Sequence, residues 1–274
     1  MSNKIMKDKT RFTKKEILVV LGCAVFLLLN IGAIGSGGRR RAKEMVCLSN
    51  LRQWGVIFQT YTNNNDGHFY SGVVGTPGYW WIAQLEERYQ SYKQNRLWFC
   101  PTAQKPIVDE YGVFSPTSNV FNAWGIYHNP GMLSADGVAG SYGLNGYVLA
   151  IYGSTYEGGV PAVDGWRTPN VAGASNVPVF MDALRFDLWP IETQGPAFYE
   201  SAAWSGNLMA RCCINRHNGA INCLFMDWST RKIGLKELWT LKWHRTFNTE
   251  GPWTKAGGVQ SSDWPEWMRN FQDY

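Results

Sequence analysis

The most uniform hydrophobic pattern in the chain lies near its N-terminus. Residues 17 to 34 form a run without a formal charge, and at about 1.5 Å per residue this run makes a helix of roughly 27 Å. That length is close to the thickness of the hydrocarbon core of a bilayer. The run therefore predicts a transmembrane helix.

The residues after this run separate an anchor from a cleaved signal peptide. A signal peptide has a shorter apolar region that ends in a small-residue cleavage site. Here the segment 35 to 38, which is Gly-Ser-Gly-Gly, is followed at once by three arginines. This favours an uncleaved anchor with a flexible glycine joint, and cleavage is the alternative. Because basic residues flank both sides, charge alone does not set the orientation.

A helical period replaces the continuous apolar run after the glycines. The repeating apolar positions, at spacings of four, three, four and three, are Cys47, Leu51, Trp54, Phe58 and Tyr61. This spacing places them on one face of a helix. The helix is expected to end in residues 63 to 67, where Asn and Asp compete for backbone hydrogen bonds and Gly accepts a left-handed conformation. We therefore predict an amphipathic helix that docks on a globular head.

The stretch "RCCINRHNGAINCLFMDW" predicts a β-hairpin. Asn218 and Gly219 between two apolar segments are a strong signal for a two-residue turn, and this turn would place Ile214 opposite Cys223. In this interpretation His217 braces the turn, while Asp227 caps the turn after the second strand and Trp228 packs inward.

These patterns predict an α+β fold in which a long N-terminal membrane and docking helix packs on an antiparallel β-sheet head with long loops. The predicted regions are a basic leader (1–15), a transmembrane stem with the glycine joint (16–38), an amphipathic docking helix (39–66) and a globular α+β head (67–274).

Composition changes this picture little. The chain has 274 residues, 45% of them hydrophobic, which suffices for a sizeable core. The net charge of +5 arises largely from basic residues that flank the apolar run, as at a membrane surface. The remaining chain has no run of basic residues interleaved with aromatics, so nucleic-acid binding is excluded as a function class.

No sequence motif for catalysis is present. The chain lacks a Gly-x-Ser-x-Gly elbow, a His-Glu-x-x-His motif and a phosphate-binding loop. His217 and Asp227 would lie roughly 33 Å apart along a straight strand, too far for a catalytic dyad. We therefore expect no enzyme activity and no catalytic residue.

Metal binding is not expected either. No Cys and His spacing suggests a zinc site, so the expected cofactor is none. The alternative is calcium, for which the candidate ligands are Asp66, Asp182, Asp187 and Asp227. Their spacing forms no recognised calcium loop.

The six cysteines permit disulfides if the head is exported. We favour a bridge between Cys47 and Cys100, which would clamp the docking helix to the head and contribute about 2–4 kcal/mol. Free buried thiols are the alternative, and the connectivity of Cys212, Cys213 and Cys223 stays open.

Several motifs resemble those of a known family. Phe12 to Glu16, "FTKKE", before an apolar helix resembles the start of type IV pilins and type II secretion pseudopilins. The segments "CLSNLRQWGVIFQTYTNNNDGHF", "LWFCPTA", "SYGLNGY", "VPVFMDA" and "RHNGAINCLFMDW" follow. They occur in the order seen in a pilin-like family of planctomycete-type bacteria, which has a late His, nine residues, then Asp-Gly. Trp228 stands where that family has Gly.

The resemblance implies a single-pass inner-membrane protein with a cytoplasmic N-terminus and a periplasmic or cell-surface head. It also implies assembly with itself or with other pilin-like subunits through the N-terminal helix. In related pilins a peptidase cuts just before the Phe, and the stem Glu, here Glu16, pairs with the freed amine of a neighbouring subunit. Arg11 stands where that peptidase expects Gly, and Lys14 and Lys15 replace apolar residues. We therefore favour retention of residues 1 to 11, with cleavage before Phe12 as the alternative.

The sequence thus predicts a non-enzymatic, pilin-like or pseudopilin-like structural subunit of an envelope filament or secretion assembly. The alternative, suggested by the 14 tryptophans, is a membrane-anchored cell-surface glycan-binding protein. A surface hydrolase is the third interpretation.

Overall fold

The structure, a computed structural model, describes residues 13–71, 81–85, 87–91, 95–103, 107–109, 119–126, 137–151, 153–156, 159–203 and 208–274. The chain forms two compact units, Met1–Ala42 and Lys43–Tyr274.

One helix, α1, occupies Lys14–Asn64, so its bounds take in the predicted stem and the predicted docking helix. It ends where the pattern predicts, and Asp66 and Gly67 follow with φ of 53° and 76°. The predicted apolar stripe is buried at Cys47, Leu51, Trp54 and Phe58. Tyr61 is half-buried.

The N-terminal part of α1 corrects one prediction. In the described part of the chain, no helix combines the length and apolarity that crossing a membrane requires. The predicted fold class was therefore wrong in its membrane-spanning helix.

The second unit contains two small sheets and a short helix α2, Glu87–Gln90. The three-stranded sheet has the order β1-β2-β3 and the five-stranded sheet the order β6-β4-β5-β7-β8. The strands are β1 (Ile107–Asp109), β2 (Ala123–Gly125), β3 (Ala139–Gly140), β4 (Tyr142–Asn145), β5 (Pro178–Asp182), β6 (Asp187–Leu188), β7 (Ala220–Phe225) and β8 (Thr230–Gly234). Single turns of 3-10 helix at Arg96–Trp98, Gly146–Val148, Ala162–Asp164, Ala174–Asn176, Glu200–Ala202, Ser261–Asp263 and Glu266–Met268, and a longer one at Leu235–Thr240, connect or follow them.

Both sheets are mixed, which corrects the prediction of an antiparallel sheet. In the larger sheet β4 pairs with β6 in parallel, and in the smaller sheet β1 pairs with β2 in parallel. The β4–β6 pairing depends on Gly143, because a Cβ atom there would collide with the carbonyl oxygen of Arg185 in the loop that leads to β6. A strand of two residues is too short to show the alternating pattern of hydrophobic residues from which strands are predicted.

The core of the second unit is strongly aromatic. Trp54 of α1 lies with its ring centroid 5.0 Å from that of Phe180 in β5 and 5.0 Å from that of Trp98. Its indole N–H donates to the carbonyl of Leu97 at 3.0 Å. Both central strands, β5 and β7, are buried along their whole length. The docking half of α1 therefore supplies part of the core in which the sheet is embedded.

The predicted hairpin is only partly present. Asn218 and Gly219 form a two-residue turn with φ of 55° and 77°, closed by the hydrogen bond from the His217 N–H to the Ala220 carbonyl at 3.0 Å. The predicted pairing of Ile214 with Cys223 was wrong, because Cys223 lies opposite Met181 of β5 and Arg231 of β8.

The segment before this turn leaves the sheet because its arginine is directed into the interior. The guanidinium of Arg216 donates to the carbonyls of Val120, Asn122, Ser141 and Ala183. The hairpin that does form joins β7 to β8 through a turn at residues 226 to 229.

Candidate functional site

Four side chains of ligand type meet inside the second unit. They are Cys47 on α1, Cys100 after the 3-10 turn that follows Asn95, Asp182 at the end of β5 and His217 just before β7. Their sulfur, oxygen and nitrogen atoms all lie within 4.8 Å of one another. We call this group the buried cluster, because His217 is 4% exposed and the other three are 0% exposed.

Close contacts connect the members of the buried cluster. His217 Nε2 lies 3.1 Å from Asp182 Oδ2 and 3.4 Å from Cys100 Sγ. The Cys47 thiol donates towards Asp182, with Sγ 3.6 Å from Oδ2. The hydroxyl of Tyr142 donates to Cys47 Sγ at 3.3 Å.

The carboxylate of Asp182 contacts a guanidinium group and a backbone N–H. Arg216 Nη1 lies 3.4 Å from Oδ1, and the backbone N–H of Asn222 donates to Oδ2 at 2.9 Å. Burial by itself would raise the pKa of Asp182, but the charge and hydrogen bond of His217 and the charge of Arg216 outweigh it and lower the pKa to about 2. Asp182 is therefore ionised.

The same contacts shift the neighbouring groups in opposite directions. Burial would lower the pKa of His217, yet Asp182 raises it to about 10. Burial would raise the pKa of Cys100, yet hydrogen bonds from Cys47 and His217 lower it to about 6. For Cys47, burial and the charge of Asp182 both raise the pKa. These contacts thus favour the charged forms of His217 and Cys100 and the neutral form of Cys47.

Cys47 and Cys100 are the two cysteines for which a bridge is predicted. Both are free thiols in the structure, with sulfur atoms within 4.8 Å of each other, whereas a disulfide needs a separation of about 2 Å. The bridge therefore stays a prediction. Cys212, Cys213 and Cys223 are also free and buried.

The residues of the late motif have separate surroundings. His217 belongs to the buried cluster, whereas Asp227 is exposed in the turn between β7 and β8, where its Oδ1 accepts from the N–H of Ser229 at 3.0 Å and from its hydroxyl at 2.6 Å. Trp228 is half-buried with φ of 66°, and its ring lies 6.1 Å from that of Phe69.

At the N-terminus, Arg11 and Phe12 lie outside the described residues. The carboxylate of Glu16 accepts from the Thr13 N–H at 2.7 Å and from its hydroxyl at 3.0 Å, and the Glu16 N–H donates to Thr13 Oγ1 at 3.3 Å. This is a capping box. It lowers the pKa of Glu16, chiefly through the bond from the backbone of Thr13. The partner of Glu16 among the described residues is thus Thr13.

The four aspartates considered for calcium do not come together. Asp182 is in the buried cluster, Asp227 is in the β7–β8 turn and Asp187 accepts from the Trp189 indole at 2.8 Å. Asp66 is exposed after α1. Among the residues that the structure describes, the group suited to an ion is the buried cluster.

Sequence reasoning missed the buried cluster because its members come from distant segments. Cys100 and His217 are 117 residues apart, and Cys47 and Asp182 are 135 apart, so no local spacing joins them. The available signal was a polar residue at the end of an apolar stretch, as Asp182 is in "VPVFMDA".

We compared the chain with protein-family models, with curated proteins and with solved structures. None of the three comparisons finds a match. The resemblance to pilin-like proteins therefore stands on the quoted motifs alone.

Proposed function

We propose that the chain is a non-enzymatic, pilin-like structural subunit that assembles with further copies of itself through the N-terminal part of α1. The observation that carries this proposal is the exposure of the apolar side chains there, which ranges from 49% to 73%. These residues are Ile17, Leu18, Val19, Val20, Leu21, Val25 and Leu27.

The exposed residues occupy successive positions, so the helix is apolar around its circumference rather than along one stripe. Such a helix needs apolar cover on several sides. Identical helices packed side by side supply that cover, since each copy buries the same uncharged residues 17 to 27 against its neighbours. Lys14, Lys15 and Glu16 lie at one end of this segment, where they can remain in water.

The buried cluster supports a non-enzymatic function. A cysteine, a histidine and an aspartate in contact are the parts of a nucleophilic site. Here Cys100 is 0% exposed, and a nucleophile must reach its substrate. The cluster is better suited to holding the head together than to acting on a substrate.

Assembly can be tested with the full chain. Sedimentation and electron microscopy should show large oligomers or filaments of the wild type, and Val20→Glu should reduce them strongly because a carboxylate is costly in an apolar interface. The matched control is Val163→Glu, which places the same charge on an exposed valine of the head and should leave assembly intact.

Two outcomes contradict self-assembly. Either the wild type stays monomeric, or both variants behave alike. A monomeric wild type that floats with lipid vesicles would indicate a simple anchored protein.

The predicted envelope location depends on the resemblance alone, and cell fractionation tests it. N-terminal analysis of the native protein distinguishes a chain that begins at Phe12 from one that retains residues 1 to 11.

A groove in the head favours glycan binding as the second candidate. It has a volume of about 640 Å³, and at its edge Phe198 and Tyr199 are 74% and 65% exposed. Trp253, Trp264, Trp267, Glu200 and Arg269 also line it. Aromatic faces stack on the apolar faces of sugar rings, while charged groups bond their hydroxyls.

Oligosaccharide arrays and calorimetry test this second candidate. If it holds, the wild type binds a defined glycan and Tyr199→Ala weakens binding at least tenfold, whereas Val163→Ala has no effect. Absence of binding across the array, or equal binding by both variants, would exclude this groove as a glycan site.

A further inference from the structure

The side chains of the buried cluster are the types that bind zinc. Thiolate sulfur, imidazole nitrogen and carboxylate oxygen are the usual ligands of this ion, and four of them complete a tetrahedral site. From the convergence of Cys47, Cys100, Asp182 and His217 we infer that the buried cluster is a structural zinc site.

The distances between the ligand atoms fit a tetrahedron around one ion. With zinc bonds of about 2.3 Å to sulfur and about 2.0 Å to nitrogen and oxygen, the edges of the tetrahedron are about 3.3 to 3.8 Å long. Cys47 Sγ lies 3.6 Å from Asp182 Oδ2, and Cys100 Sγ lies 3.4 Å from His217 Nε2. Asp182 Oδ2 lies 3.1 Å from His217 Nε2. The other separations within the group are at most 4.8 Å, so binding of a zinc ion would require the wider pairs to move closer by up to about 1 Å.

The charges around the buried cluster also balance with zinc present. Two thiolates and one carboxylate carry three negative charges, and the ion supplies two positive ones. The guanidinium of Arg216, whose side chain has no exposed surface, lies 3.4 Å from the Asp182 carboxylate and supplies the third positive charge. A buried group of charges is stable when its members are paired or coordinate a metal.

Groups around the ligands hold them in place. The Asn222 N–H donates to Asp182, the Tyr142 hydroxyl donates to Cys47 Sγ, and Thr102 Oγ1 lies 2.9 Å from Cys100 Sγ. Partners of this kind orient the ligands of metal sites and are part of their design. The hydroxyl that Tyr142 donates to Cys47 Sγ would also stabilise this sulfur in the thiolate form that zinc binds.

The site is closed, which indicates a structural role. Four protein ligands leave no position for water or substrate, whereas catalytic zinc sites keep one open. The four ligands come from α1, the segment after Arg96–Trp98, β5 and the turn before β7. Zinc would therefore join four parts of the head that lie far apart in the sequence.

A disulfide between Cys47 and Cys100 is the competing arrangement. It would use two of the four ligand residues. His217 would keep its contact with Asp182, and its contact with Cys100 Sγ would have no role. The two arrangements exclude each other, because sulfur atoms joined at about 2 Å cannot both bind the same zinc ion.

Metal content of the purified full chain tests the inference. The chain is prepared under reducing conditions without chelator, and elemental mass spectrometry should find one zinc ion per chain. Cys47→Ser and His217→Gln should each lose the zinc. The matched control is Cys212→Ser, which replaces a buried thiol that donates to the Met209 carbonyl at 3.3 Å, outside the cluster, and it should retain the zinc.

Cobalt titration of the wild type keeps the test valid if the variants do not fold. The chelator-treated, reduced full chain is titrated with Co²⁺, which should produce thiolate-to-metal charge-transfer absorption and strong visible bands of a tetrahedral site. One equivalent of Zn²⁺ should remove these bands and raise the melting temperature.

Three results would overturn the zinc site. The first is a reduced wild-type chain that gives no thiolate–cobalt absorption. The second is a zinc content that Cys212→Ser lowers as much as Cys47→Ser does. The third is a metal-free chain, purified from its natural source, in which unreduced peptide mapping recovers Cys47 and Cys100 as one linked fragment.

Discussion

His217 Nε2 lies 3.1 Å from Asp182 Oδ2, and this contact joins the turn before β7 to the end of β5. The other carboxylate oxygen of Asp182 lies 3.4 Å from Arg216 Nη1. Two neighbouring basic side chains, His217 and Arg216, thus converge on one buried carboxylate. The stability of the head should depend on that carboxylate far more than on aspartates at the surface.

Replacement of this carboxylate is the first prediction. Asp182→Asn keeps the shape of the side chain but removes its charge, and it should lower the free energy of unfolding by about 3–5 kcal/mol because Arg216 stays buried without its counter-charge. Urea unfolding of the full chain measures the change. Asp227→Asn, in an exposed turn, should change it by about 1 kcal/mol or less, and similar losses for the two variants would contradict the prediction.

The second prediction concerns the shape of the Arg216 side chain. Arg216→Lys keeps the charge, yet an ammonium group cannot reach the carbonyls of Val120, Asn122, Ser141 and Ala183 together. Because bonds to charged groups contribute about 1.5–3 kcal/mol each, the variant should lose about 3 kcal/mol or more.

The control for Arg216 is an arginine at the surface of the sheet. Arg231 is paired with Glu237 and lies over the ring of Phe225, with a partly exposed side chain. Arg231→Lys should cost about 1 kcal/mol or less in the same unfolding experiment. An Arg216→Lys variant as stable as Arg231→Lys would show that the carbonyl contacts add nothing.

The features that the sequence predicted correctly are local ones. The spacing of Cys47, Leu51, Trp54 and Phe58 repeats with the turn of a helix, so one segment contains the information for its own buried face. The turn at Asn218 and Gly219 is local too, because few residues other than Asn and Gly adopt positive φ at both positions.

The features that could not be predicted depend on contacts between distant segments. The pairing of Ile214 with Cys223 failed because Arg216 enters the interior and binds carbonyls 33 to 96 residues away. The parallel strand β6 has two residues, too few for any period. The buried cluster likewise combines segments whose proximity exists only in the folded chain.

A third prediction uses the unusual backbone of Trp228. Its φ of 66° lies in the region that favours glycine, and bulky residues are disfavoured there by about 1–2 kcal/mol. Trp228→Gly and Trp228→Ala both remove the indole and its contact with Phe69. Only glycine also removes the conformational strain of a positive φ. The glycine variant should therefore be about 1 kcal/mol more stable than the alanine variant. Thermal and urea unfolding measure the stability of both variants. An alanine variant that is more stable than the glycine variant would contradict backbone strain at Trp228.

The last prediction is a dependence of stability on pH through His244. Its ring is buried, with Nδ1 3.1 Å from Thr246 Oγ1 and its centroid 4.8 Å from that of Tyr147. Burial lowers its pKa. The charges of Glu192 and Asp164 oppose this shift in part, and the charge of Lys242 makes a smaller contribution that lowers the pKa further.

Since the pKa of His244 is lower in the folded than in the unfolded chain, the unfolded chain binds its proton first as the pH falls. His244 should therefore stabilise the fold fully above its unfolded pKa of about 6.5 and lose that stability as the pH falls from there through the folded pKa. Urea unfolding at pH 7 and pH 5 should show a smaller loss for His244→Gln than for the wild type, because the amide does not titrate. An equal loss in both proteins would show that His244 does not control this part of the acid response, and a larger loss in the variant would reverse the assigned direction of its pKa shift.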